Sequence, residues 1–238
     1  ERIMKRRTTA FLGTSALALV AAASIGAGSA SAHPQPSGKG ADRTVTLSAQ
    51  LDELNGSGAS GTATATVRNQ KIQNITVDAH GLTPDAPHAQ HIHYGEQAMN
   101  ECPGLDLDSN MDGRINTVEG IPAYGPVVVS LNTTGDTTPA SFLDVSRFPV
   151  SHSGSYSYSR DNIDFTRVTG TGYTGGGGTA KQIADAIRAG EGVVVIHGVD
   201  YNGNGVYDFD GAGASELDPN LPAEATDPAV CGLLKVDN

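Results

Sequence analysis

Beyond residue 32 the chain has no apolar run that approaches the roughly 20 residues a membrane-spanning helix needs, so a span in that part is excluded. Basic residues are scarce: 15 Lys and Arg face 26 Asp and Glu, a net charge of −11. That balance argues against nucleic acid and anionic membranes as partners, and it suits solubility outside a cell and the binding of cations. Only two cysteines occur, Cys102 and Cys231. In an exported chain an even count points to a disulfide, with two free thiols as the alternative. Joined, they would close a loop of well over a hundred residues, worth roughly 4–5 kcal/mol in the chain-entropy account. There is no convincing internal repeat. The glycine run at 175–178 lacks both a preceding strand and a following Lys-Ser/Thr, which excludes a phosphate-binding loop. No carboxylate pair is placed for hydrolytic chemistry.

What is present begins with an export signal. Glu1 to Ile3 read as upstream translated sequence. From Met4 follow a basic stretch (MKRRTT), an apolar run rich in alanine, and the small-residue cleavage pattern Ala30-Ser31-Ala32. No cysteine stands at the cleavage point to take a lipid. Cleavage leaves 206 residues, 33–238, and loss of the net +3 on the first 32 leaves −14. The expected location is secreted, extracellular or associated with a cell surface. His33 would then be a free N-terminal histidine, able to offer its amine and ring to copper, although such termini are usually just solvated.

Residues 33–43 form a polar, Pro/Gly-bearing flexible lead-in, and 44–238 read as a single metal-binding β-sandwich domain. Apolar residues alternate with polar ones at Val45, Leu47, Ala49 and Leu51, at Ala63, Ala65 and Val67, and at Ile75, Val77 and Ala79. This is the pattern of antiparallel strands with one buried face. Further strands are predicted at 88–94, 125–131, 154–160, 192–198 and 230–236. One segment has a helical period: Thr179 as N-cap, Ile183 and Ile187 four apart, and Gly190 as the stop. The expected architecture is mainly β, a Greek-key β-sandwich or barrel with long loops and one short helix.

The chemistry concentrates in HAQHIHYG at 88–95. Residues two apart on a strand share a face, so His91 and His93 present both rings on one side with Ile92 opposite. Neutral imidazole is a common ligand for copper and zinc. His197, in VVVIHGVD, is the candidate third ligand. Solvated strand histidines are the plainer alternative.

Two loops have calcium spacing. In 108–119, Asp108, Asn110, Asp112, the Arg114 carbonyl, Asn116 and Glu119 fall at positions 1, 3, 5, 7, 9 and 12, with Gly113 at 6. In 200–208, Asp200, Asn202, Asn204, the Val206 carbonyl and Asp208 repeat the first five ligand positions. Position 12 there is Gly211, so the chelating glutamate is missing, and an Asn/Gly-rich turn competes as the explanation.

Taken together, LNGSGASGTATATV, GLTPDAPHAQHIHYG, Cys102 nine residues after His93, VVVIHGVD and AVCGLL resemble the copper-zinc superoxide dismutase family across nearly all of 44–236. The resemblance implies a Greek-key β-barrel, His91, His93 and His197 as copper ligands, His88 as a structural histidine, and Cys102 joined to Cys231. It is incomplete. The histidine that bridges copper and zinc in that family has no counterpart, since His152 lies in a turn-like SHSGS, and the calcium-type loop occupies the expected zinc region. The family's anion-guiding Arg is Pro228 here. GPVVVSL, the helix and the strand to His197 are also similar to the CHRD domain, a β-rich extracellular module. The function expected from the sequence is a secreted, non-catalytic metal binder with calcium and copper as ions. A copper-dependent superoxide dismutase is the alternative, and copper storage or delivery a third reading.

Overall fold

The computed structural model describes residues 43–170 and 176–237. The export signal, residues 33–42 of the lead-in and His33 lie outside them. The fold is mainly β. Nine strands are β1 (Val45–Glu53), β2 (Ser60–Arg68), β3 (Lys71–His80), β4 (Gln90–His93), β5 (Val127–Ser130), β6 (Tyr156–Asp164), β7 (Val193–His197), β8 (Pro228–Leu233) and β9 (Lys235–Val236). They form one antiparallel sheet in the order β5-β4-β7-β8-β1-β2-β3-β6, with β9 on β1. Consecutive strands β3 and β4 are not neighbours, nor are β5 and β6, so long connections cross between the two halves. The sheet curls into a half-barrel. The Tyr158 hydroxyl and Arg160 of β6 both reach the Asn132 carbonyl, just past β5, and tie the two ends of the path by side chains.

The predicted alternation is what curls the sheet around a core. Leu47, Ala49, Leu51, Ala63, Ala65, Val67, Ile75 and Val77 face Ile92, Val194, Ile196 and Val230 in one buried cluster. Burying each Val, Leu or Ile there contributes about 1.5–3 kcal/mol. The helix read from the sequence is present as α2 (Ala180–Ala189). Thr179 and Gln182 cap it reciprocally, and Gly190 ends it at φ 92°, where a side chain would be strained. Ile183 and Ile187 join the barrel core.

Two further helices depart from the expected one. They are α1 (Thr117–Tyr124) and α3 (Ala223–Thr226). α1 begins within the first calcium-type loop and α3 lies beyond the second, and each ends beside a histidine of the candidate site. The disulfide Cys102–Cys231 is formed, across a sequence separation of 129. It fastens the long β4–β5 connection, which carries α1, to β8. Among the described residues no helix is long and apolar enough to cross a membrane.

Candidate metal centre

Strand alternation splits β7 between two environments. Val194 and Ile196 face the barrel core with Ile92, whereas Val193 and Val195 pack on the outer face with Tyr124 and Cys231. His91 is paired with Val195 and His93 with Val193, so both rings lie on that outer face. His197, two residues beyond Val195, shares it, and a register shift between β7 and β8 falls at Ile196/His197. The three ring centroids are 5.3–6.1 Å apart. Among the described residues, His91, His93 and His197 are the one group of His, Cys, Asp or Glu whose ligand atoms all lie within 4.8 Å of one another. Bonds to zinc or copper are about 2 Å long, so small ring rotations suffice for one ion.

The loops over this face set the tautomers. His91 Nε2 donates to the Phe142 carbonyl (3.1 Å), His93 Nδ1 to the Gly125 carbonyl (2.9 Å) and His197 Nδ1 to the Thr226 carbonyl (2.6 Å). A carbonyl only accepts, so each of these nitrogens carries the proton, and the other nitrogen of each ring holds a free lone pair. Those three, His91 Nδ1, His93 Nε2 and His197 Nε2, are buried and have no hydrogen-bond partner. A buried polar atom without a partner costs free energy, typically 1–3 kcal/mol, unless something outside the chain satisfies it.

Burial pushes all three imidazoles toward the neutral form, helped by their mutual repulsion at His91 and His93. His91 falls well below its ordinary value, His93 to about 3 and His197 to about 4. Neutral rings are the form a metal binds. A depressed folded-state value also means that the unfolded chain takes up protons first, near 6.5. The metal-free protein is therefore expected to have its full stability above about pH 6.5 and to lose it progressively as the pH falls toward 4. Urea midpoints recorded across that range check this, and His197→Gln should flatten the dependence. A midpoint that rises on acidification would contradict it.

His88 stands back from the trio, fully buried. Its Nδ1 meets the His197 carbonyl at 2.9 Å and its Nε2 the Thr83 carbonyl at 3.2 Å, with the Tyr207 hydroxyl beside both nitrogens. It fixes the backbone that carries His197. His152 is exposed in a tight turn and takes no part in the site.

The two calcium-type loops share a core of hydrogen bonds at equivalent positions. The N–H at position 5 donates to both position 1 (Asp108, Asp200; 3.2 Å each) and position 3 (Asn110 at 2.9 Å, Asn202 at 3.0 Å). The Gly113 and Gly205 N–H groups, at position 6, donate to the other oxygen of Asp108 and Asp200. In the first loop Glu119 accepts from the N–H of Ser109 (2.8 Å) and of Asn116 (3.2 Å). In the second loop, Glu224 of α3 accepts from the equivalent groups, Tyr201 N–H (2.9 Å) and Asp208 N–H (2.8 Å). Glu224 is fully buried, and its carboxylate fills the space where a Cβ on Gly211 would lie. The position-12 glutamate missing from the linear pattern is thus matched in space by Glu224.

These loops are wired to the histidines. Glu119 opens α1, whose closing residue Gly125 holds His93; Glu224 lies on α3, whose Thr226 carbonyl holds His197. Thr117 of α1 also donates to Thr226, and Arg114 of the first loop pairs with Asp227. Burial alone would lower the Arg114 pKa, and the Asp227 carboxylate beside it reverses that.

Sequence reasoning did not find the three carbonyls, Glu224, or the apolar walls that stand over the trio. Only the pair Asn116 and Glu119, spaced as a capping box, carried a local signal for α1. Neither a scan against models of known protein families nor a search of curated proteins finds a match to this chain.

Proposed function

We propose that this chain is a secreted metal-binding protein of superoxide dismutase-like or CHRD-like architecture. It holds copper on His91, His93 and His197, and calcium in the loops 108–119 and 200–208. One observation carries the reading: three buried lone pairs converge on one point, each with its ring locked by a carbonyl on the opposite nitrogen. That arrangement orients ligands as outer-shell partners do in metal sites. Copper is favoured because divalent affinities at nitrogen sites peak at copper. Bound there, it would supply a redox-active, Lewis-acidic centre with an open coordination position. The calcium reading rests on the matching hydrogen-bond pattern of the two loops, and the export reading on the leader sequence together with a disulfide.

The protein's own residues bind, orient and shield the ion. The competing reading, a copper-dependent superoxide dismutase, needs a route that draws in an anion. None of the side chains lining the cavity over the trio is Lys or Arg, Pro228 stands where the resembled family has its guiding Arg, and Arg114 is committed to Asp227 and Asp112. Fast dismutation is therefore disfavoured.

The test is metal retention. Protein stripped with chelator and dialysed against equal copper and zinc is expected to keep one copper per chain, with nitrogen hyperfine structure in its electron paramagnetic resonance spectrum. His91→Ala and His197→Ala should each weaken copper by more than about 100-fold, beyond the 10–100-fold typical of losing an outer-shell partner. Copper retention that survives both substitutions would defeat the assignment.

A further inference from the structure

The trio forms the floor of a cavity of about 330 Å³. Its walls include Ile121, Tyr124, Phe142, Leu143, Phe148 and Leu221, and no charged residue is among those that line it. The Tyr124 hydroxyl is already spent on the Thr117 carbonyl at 2.6 Å. An apolar cavity of about 150 Å³ is enough for benzene, so this one has room for about two rings. Val145, 49% exposed, marks where the wall meets solvent.

We infer that this cavity binds a small, neutral, two-ring molecule that directs one aromatic nitrogen at the metal, an azole-type ligand. The inference rests on the copper reading of the trio and adds what the ion's open position takes. Three protein nitrogens leave that position vacant on the cavity side, as in metal sites that bind a further ligand. The ion itself would attract an anion, but no charged side chain lines the cavity to draw one in, and an anion gains nothing from the apolar walls. Water itself would find few partners on such walls, and displacing poorly held water by an apolar group favours binding. A neutral donor with an apolar body satisfies both the ion and the walls, in the manner of pockets that are mostly apolar with a few convergent polar groups.

The test compares imidazole with 4-phenylimidazole on the copper-loaded full chain, following the copper electron paramagnetic resonance and visible spectra. Both probes offer the same donor, so the phenyl ring reads the walls. It is expected to tighten binding by about tenfold or more, the effect of burying one aromatic ring. Val145→Asp, at the half-exposed rim, should cut that advantage to less than about threefold, because the added carboxylate resists desolvation. Copper affinity and the thermal unfolding of the variant should stay close to those of the parent, since Val145 is not a copper ligand. Copper uptake with equal affinity for the two probes overturns the inference and leaves the copper reading standing. Failure to take up copper at all removes both.

Discussion

Replacing Cys102 and Cys231 together by alanine is expected to lower the unfolding free energy by roughly 4–5 kcal/mol, the chain-entropy value for a closed loop of this length. The bond spans 129 residues, so the unfolded chain regains much conformational freedom when it is lost. Small domains are stable by only about 5–15 kcal/mol, which makes this a large share of the total. The effect has a native-state side as well. Cys102 belongs to the β4–β5 connection, and α1, at the end of that connection, supplies the Gly125 carbonyl that orients His93. Alanine is the substitution of choice because Cys231 is 2% exposed and a serine hydroxyl there would need a partner. Urea unfolding of the metal-free parent and variant measures the difference. A loss under about 1 kcal/mol would show that the long loop is already constrained in the unfolded chain.

The strands were legible because burial on one face imprints a period of two that survives in the residue order. Val45 to Leu51, Ala63 to Val67 and Ile75 to Ala79 all face the core as that period predicts. The HxH pair was legible for the same reason, since alternation alone puts His91 and His93 on one side of β4. His197 could be singled out as a candidate, but its place beside them depends on β7 pairing with β4 across more than a hundred residues. No local pattern encodes that pairing.

The two missed helices show different limits. In α1, Pro122 and Gly120 are poor helix formers, and Glu119 served both as a calcium-loop terminus and as a capping residue. In α3 there are four residues, too few for a helical period to show. The cavity walls come from Ile121, the 139–148 segment and the stretch around Leu217 and Leu221. These apolar residues have no regular spacing, because they are drawn from α1 and from irregular connections, of which the one carrying Phe142 meets the sheet at His91.

Withdrawing calcium from the full chain is expected to cost about 5 kcal/mol of stability, and Glu224→Gln is expected to remove about half of that dependence. Each proposed loop gains roughly 2.7 kcal/mol when calcium stands a hundredfold above its dissociation constant, and independent sites add. Extracellular calcium modules bind with constants on the order of 10⁻⁴–10⁻³ M, so 10 mM calcium against chelator approaches that condition. Glu119→Gln should remove the other half, since Glu119 and Glu224 accept from equivalent N–H groups of their loops. Glutamine preserves the shape but keeps one acceptor oxygen of two, so a backbone hydrogen bond is lost along with the charge that a calcium ion needs, and the difference between calcium and chelator within each variant isolates the calcium effect. The decisive comparison is Glu224→Gln. The linear template assigns that residue no role, because it lies 24 positions after Asp200; only its place against Gly211 and the loop amides assigns one. Thermal unfolding in calcium and in chelator should then show one share lost in each single variant and both in the double. Full calcium dependence in Glu224→Gln would remove Glu224 from the calcium site. In calcium-containing buffer the same variants should also bind copper more weakly than the parent, because α1 and α3 hold the carbonyls that orient His93 and His197.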